Sequence, residues 1–440
     1  MLSPLRRYLE LLYRFVESLG EQPTRYFCRP GRDFTRRRLL PLLRLIFLQL
    51  SLLKRSNSVE LEQFFAQVCP HTLPATKSAL SQARKKLQPL VFEDILKHSA
   101  EAFYQCFEPL RWKGFRLWAT DGSGFRLPDA PGMGDTFGWH SNQHNCVPST
   151  RMSLCFDLLN EVITDLRLHP RDISETFIAT CQVGNTPSDV LMIYDRGYAS
   201  QIIPYLHQIS GSSCLIRMPV ERSHTVDAFV LSGKREQIVT EPLGQRALKW
   251  LHELGIEPPQ LPPVVTYRLI RFDLPGGEAE VLLTTLTDKK RYPYTHFGRI
   301  YRSRWGIESC FFTLKSLLQL TIFSAHLPNL CHADILANCI FYNLQTATFQ
   351  PLKNQIKQRS KARKHACQPN RNVAAGFLKA CIPRWFLAEK EALDASLYRY
   401  HRLILRTLEP IRPDKNKERR RRILRGTERH VHEKNYRRAL

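Results

Sequence analysis

The chain has 440 residues and carries 65 Lys and Arg against 40 Asp and Glu, a formal net charge of +25. A hydrophobic share of 43% with 10% aromatic residues excludes a disordered chain, and the length leaves room for two to four domains with real cores. So large a positive surplus on a folded body points to a polyanionic partner, and nucleic acid is the commonest one.

In chain order, residues 1–105 read as a helical domain. Met1 to Gly20 contains Arg6, Arg7, Glu10, Arg14 and Glu17, and its apolar residues recur at helical spacing, unlike a secretion signal. The most apolar run, Leu39 to Leu53, follows the caps Asp33 and Thr35. Pro41, Arg44 and Gln49 interrupt it, and it is too short to cross a bilayer. Ser58 opens a second helix through Phe65. Thr76 to Leu87 forms a third, with Lys77, Arg84, Lys85 and Lys86 expected to be exposed. Such a unit suits either a DNA-reading module or an ordinary bundle with solvated lysines. The 12 cysteines form no C-x-x-C pair, which fits reduced thiols and a cytoplasmic location without membrane insertion.

After Pro109 the texture changes. Phe115 to Thr120 reads as a strand ending at a turn, Asp121-Gly-Ser-Gly; Arg151 to Asp157 and Val162 to Leu168 are further strands, and Ser174 to Cys181 is a helix. Val190 to Tyr194 is continuously apolar, as in a strand buried on both faces, and ends at Asp195. Ser213 to Met218 is another strand. Residues of about 220–280 read as a mainly β insertion, with strand-like Ala228 to Leu231 and Val264 to Phe272 and turns at Pro258, Pro259, Pro262 and Pro263. Ala279 to Thr285 returns to buried-strand composition. The whole of 110–325 is thus a mixed α/β core with an insertion. Helices resume in 326–412. A basic tail, 413–440, closes the chain; from Arg412 to Leu440 it holds 12 basic and 4 acidic residues, 12 − 4 = +8.

Chemistry concentrates at Tyr301 to Lys315. On a helix at about 100° per residue, Arg304, Glu308 and Lys315 fall within about 60° of Tyr301. Ile307, Phe311, Leu314 and Leu318 form the neighbouring apolar seam. An i, i+4 pair of Arg304 with Glu308 would explain two of the charges without function. Two more acids stand just past strands, Asp121 and Asp195, where open α/β sheets place functional groups and where turn aspartates are also common. Asp129, two residues past Leu127, is the alternative to Asp121. Three carboxylates on so basic a protein suit hard divalent cations held by oxygen ligands beside DNA phosphates.

The spacing Tyr301-x₂-Arg304-x₃-Glu308-x₆-Lys315 resembles the Y-R-E-K signature of DDE transposases of the insertion-sequence family four type. Asp121-Gly-Ser and Asp195-Arg-Gly-Tyr are similar to that family's first and second aspartate motifs. The resemblance covers roughly residues 110–325. It implies an RNase H-like core with Asp121, Asp195 and Glu308 as catalytic, metal-binding residues, and with Tyr301, Arg304 and Lys315 gripping DNA. It further implies two Mg²⁺ ions per site, with Mn²⁺ able to substitute. The partner would be double-stranded DNA, both inverted-repeat ends and target, cut and pasted by a homodimer. A hairpin route would need a base-stacking tryptophan; Trp250 is the insertion's only one, and a core role competes for it. The C-terminal series Trp385, Phe386, Leu393 and Leu397 serves equally as a dimer element or as core. Two other functions share these residues: a catalytically silent regulator of transposition, and a structure-specific nuclease.

Overall fold

The structure is a computed structural model that describes residues 2–36, 38–141, 146–220, 223–274, 276, 278–388 and 393–411. The basic tail from residue 412 onward lies outside the described residues. The chain divides into two compact units: one combines the residues up to Phe107 with those from Phe312, and the other is Glu108–Phe311.

The second unit is built on one sheet. β1 (Arg116–Arg126) is followed by a short β2 (Trp139–Ser141), then β3 (Cys146–Asp157) and β4 (Val162–His169). β3 runs antiparallel between β1 and β4, with Asp121 opposite Leu154. The helix Glu175–Val183 then crosses to β5 (Val190–Tyr194), which lies parallel to β1. The helix Ile202–Ser210 leads to β6 (Ser213–Met218), parallel to β5. All five residues of β5 are buried, as its unbroken apolar run requires for a strand covered on both faces. Three antiparallel strands, a crossover helix and two parallel strands, in the order β4-β3-β1-β5-β6, form the RNase H-like core.

The stretch 220–280 enlarges this sheet rather than standing apart from it. β7 (Glu236–Pro242), β8 (Val264–Asp273) and β9 (Ala279–Thr284) continue the sheet beyond β6, all antiparallel. Ala228 to Leu231, expected as a strand, belongs instead to the helix His224–Leu231. A four-residue apolar run satisfies either period, and burial of Val226 and Phe229 on one helical face decides it.

The first unit is helical. The helix Pro328–Phe349 is buried on nearly every side, so it forms the centre of a bundle rather than its surface. Leu90–Cys106 and Leu42–Leu50 pack on it, and Arg371–Leu387 packs on Leu42–Leu50. The stretches 1–105 and 326–412, expected as separate domains, therefore share one core: the apolar faces of each are covered by the other. Trp385, Phe386 and Leu397 are buried in it, with Phe386 stacked on Phe47 at 4.2 Å and Trp385 edge-on to Tyr400 at 5.3 Å, so this series serves the core. Arg84, expected on the wet face of its helix, is buried at 4% exposure and donates to Asp334 at 2.8 Å. Ser324 and Gln49 bond to the same carboxylate, while Lys54 donates to the carbonyls of Gln319 and Ile322. Among the described residues no helix is long and apolar enough to cross a membrane.

Candidate active site

Asp121 sits inside β1, not at a turn after it. The ladder with β3 continues through Gly122 (opposite Ser153) and Gly124 (opposite Arg151) as far as Arg126. Asp-Gly-Ser-Gly has turn composition, but here its glycines serve close approach. A Cβ on Gly122 would lie 2.5 Å from Oε1 of Glu175, and one on Gly124 would lie 3.3 Å from the Arg171 guanidinium. The Asp121 Oδ1 accepts from the Gly122 N–H at 2.8 Å.

Asp195 is the first residue past β5. Its Oδ1 accepts from the Gly197 N–H at 2.7 Å and so caps the short 3₁₀ turn Arg196–Tyr198. β1 and β5 pair in parallel with Ala119 beside Ile193. Asp121 and Asp195 each follow that pair by two residues, so the register sets both carboxylates at one level of the sheet.

Glu308 comes from the opposite partner, the helix Trp305–Phe312. The expected single helix through residue 315 is interrupted. One helix, Phe297–Ser303, stops at Arg304, the next begins at Trp305, and Thr313–Leu317 is a π-helical turn. Gly306 lets the second segment close on the sheet, since a Cβ there would stand 3.1 Å from Leu158. The seam Ile307, Phe311, Leu314 and Leu318 is buried as its spacing required.

Arg304 links the two sides. Its Nη2 donates to Oε1 of Glu308 at 3.1 Å, and its Nη1 stands 3.5 Å from Oδ2 of Asp121. The side chain is 11% exposed, and its Nε and Nη1 have no hydrogen-bond partner. Burial pushes the Asp121 carboxyl up to about 6; the Gly122 N–H and Arg304 oppose the shift, while Asp195 and Glu175 add to it. Tyr301 is buried at 8% exposure, and its phenol is raised, first by burial. Lys315 is half-buried on the π-helical turn and belongs to the helical unit. Asp129 is exposed and makes none of these contacts.

Two features had no separate signal in the sequence. Glu175, in the first turn of its helix, is held by Arg151 at 3.1 Å and acts electrostatically on Asp121. Trp305, next to Arg304, is 65% exposed on a helix that otherwise buries its large apolar side chains up to Phe311. Trp250 is neither core nor fully exposed: it is half-buried on the helix Gln245–Glu253, edge-on to Phe177 at 6.5 Å with Arg246 over its ring.

The donor chemistry of Asp121, Asp195 and Glu308, oxygen only and anionic, fits a hard divalent cation. Among the described residues no three His, Cys, Asp or Glu side chains are drawn closely enough together to hold one ion. The Arg304 guanidinium instead supplies the positive charge between Asp121 and Glu308.

A family model described as "Transposase DDE domain" matches residues 112–344, which include Asp121, Asp195, Glu308 and Lys315. The transposase InsG for insertion sequence element IS4 of Escherichia coli (strain K12) is 26% identical over 272 residues, spanning 61% of this chain and 60% of InsG. InsZ of the same strain is 24% identical over 129 residues, 28% of this chain and 43% of that protein. The chain thus spans less than two thirds of the length of either relative. A cryo-EM structure of the piggyBac transposase synaptic complex with hairpin DNA aligns with a TM-score of 0.42 at 9% identity, covering 91% of this chain and 85% of that one. The chain is similar to the IS4 transposase and belongs to the transposase DDE domain family.

Proposed function

We propose that the protein is a DNA transposase that cuts at transposon inverted-repeat ends and joins the freed 3′ ends to target DNA, by cut-and-paste. The observation that carries this reading is the convergence on Arg304 of Asp121 from β1 and Glu308 from the facing helix, with Asp195 placed beside Asp121 by the strand register. The similarity to the IS4 transposase InsG supports it.

In this reading Asp121, Asp195 and Glu308 hold divalent cations, Mg²⁺ or in its place Mn²⁺, two per site. Bound there, they would supply activation of a water or 3′-hydroxyl and charge stabilisation at the leaving oxygen. The chain's own groups do the rest. Backbone N–H groups hold one oxygen of each aspartate, while the other oxygen of Asp121 faces Arg304. Arg304 grips a phosphate in fork geometry once the carboxylates no longer claim it, while Lys315 acts as a point charge and Tyr301 as a phenol donor. The exposed indole of Trp305 offers a stacking face to an unpaired base. Two ends must be held together, which calls for a homodimer. The protein would work in the cytoplasm, on the nucleoid.

The test is cleavage of duplex DNA carrying the repeats that flank this gene, with Mg²⁺ or chelator, using wild type, Asp195→Ala and Glu308→Gln. Mg²⁺-dependent cuts at the repeat ends, lost in both variants with end binding retained, are expected. Salt-sensitive binding without cutting under any metal would replace the transposase with a silent regulator. Cutting that ignores the repeats and joins nothing would replace it with a nuclease.

A further inference from the structure

The helical unit carries a charge pattern that its fold does not call for. From residue 335 to residue 388 the chain has no Asp or Glu, and residues 353–364 alone hold six Lys and Arg. The helix Lys353–Lys361 turns Ile356 inward, and Ser360 is bonded to the carbonyl of Ile356 and the N–H of Cys367. Lys353, Lys357 and Lys361 follow one another at i, i+4 along the exposed side, and Arg363 and Lys364 continue past its end, also exposed. A like-charge row at that spacing destabilises a helix. Elsewhere the chain uses the same spacing for attraction, as in Glu10 with Arg14 and Lys249 with Glu253. A solvated face would be served as well by mixed charges, whereas the one-sign series Lys357, Lys361, Arg363 and Lys364 suits an anionic partner.

A second observation concerns the same edge. The two-residue strand Cys367–Gln368 pairs with Glu409–Pro410, and the Ile411 N–H donates to the Ala366 carbonyl at 2.7 Å. Ile411, the last described residue, therefore lies beside the chain that follows this row, and the sequence after it, 412–440, has a net charge of 12 − 4 = +8.

We infer that residues 353–364 form a docking surface for the phosphate backbone of duplex DNA, sequence-independent and separate from the Asp121–Glu308 site. The inference rests on the DNA reading above and extends it to a second contact. From Lys353 to Lys361 the row covers about 12 Å of helix axis, a length over which duplex DNA presents about seven phosphate charges. Lysines on flexible stems suit such contacts, which position a duplex without reading its bases.

The experiment measures binding of the full chain to a random-sequence duplex across a salt series, for wild type, the triple variant Lys357→Gln/Lys361→Gln/Lys364→Gln, and Lys249→Gln as a control. The triple variant is expected to bind at least tenfold more weakly at low salt, with the slope of log K against log salt shallower by up to about 3. The control should match wild type. Because the substituted side chains are exposed and mutually repelling, the triple variant should melt no lower than wild type. A wild-type slope and affinity in the triple variant would overturn the docking surface while leaving the transposase reading intact. No salt-sensitive duplex binding by wild type would overturn both.

Discussion

Asp121 is a residue at which burial works against charge. Its side chain is 21% exposed, and its carboxyl is raised from 3.8 to about 6 chiefly by desolvation, although Arg304 and the Gly122 N–H favour the charged form. An acid raised in the folded chain keeps its proton there at pH values where the unfolded chain has lost it. Stability is therefore gained as pH falls through about 6 towards 3.8 and is missing at neutral pH. The missing part is about 3 kcal/mol at most. Asp121→Asn keeps an oxygen for the Gly122 N–H and removes the charge. In chelator at neutral pH the variant should melt higher than wild type, and the two should converge as pH nears about 4. A lower melting temperature at neutral pH would mean that pairing with Arg304 outweighs burial.

At the scale of elements, a buried ion pair ties together two helices of the helical unit. Arg84 reaches from the helix Lys77–Arg84 to Asp334 in the helix Pro328–Phe349, both under 7% exposed at the side chain. Asp334→Ala would strand the guanidinium and should cost about 3–5 kcal/mol in urea unfolding, whereas Arg84→Met with Asp334→Leu should recover most of it. A small effect of Asp334→Ala would show that Ser324 or water already satisfies Arg84. This pair also marks what the sequence could and could not tell. A continuous apolar run marked β5, and helical spacing marked the buried seam of Ile307, Phe311, Leu314 and Leu318, because both signals are local. The spacing of Tyr301, Arg304, Glu308 and Lys315 pointed to the family that the chain matches. Local spacing missed Arg84, since an arginine on a polar helix reads as wet until a distant Asp334 is supplied. It placed Asp121 in a turn because Gly-Ser-Gly has turn composition, and only pairing with β3 keeps those residues extended. It also drew one helix where Arg304 interrupts two, a break formed where the guanidinium turns toward a strand about 180 residues earlier in the chain.

Across the whole molecule, acid acts through groups in both units. His207, in the sheet unit, is fully buried between the Tyr194 hydroxyl at 2.8 Å and the Ser212 hydroxyl at 2.6 Å, and burial lowers it from 6.5 to about 3. His401, in the helical unit, is 7% exposed, faces the Thr348 carbonyl at 3.0 Å, and is lowered from 6.5 to about 4, again by burial first. A histidine lowered in the folded chain stays neutral while the unfolded chain takes up a proton. Its stability is whole above pH 6.5 and is lost as pH falls towards its folded value. At pH 5 each of these two histidines has given up about 2 kcal/mol and Asp121 has returned about 1 kcal/mol, so the three together lose stability on acidification, and His332, lowered to about 4 by burial, adds to the loss. The net charge of +25 also grows as other histidines protonate, and its self-repulsion works in the same direction. Urea midpoints compared at neutral pH and at pH 5 should therefore fall on acidification in wild type. In His207→Gln/His401→Gln they should fall less, with the remaining fall left to His332, which burial also lowers. An equal drop in both proteins would shift the acid sensitivity from these two rings to His332 or to the general charge of the chain, and raising the salt concentration would abolish only the second, since buried rings are screened far less than surface charges.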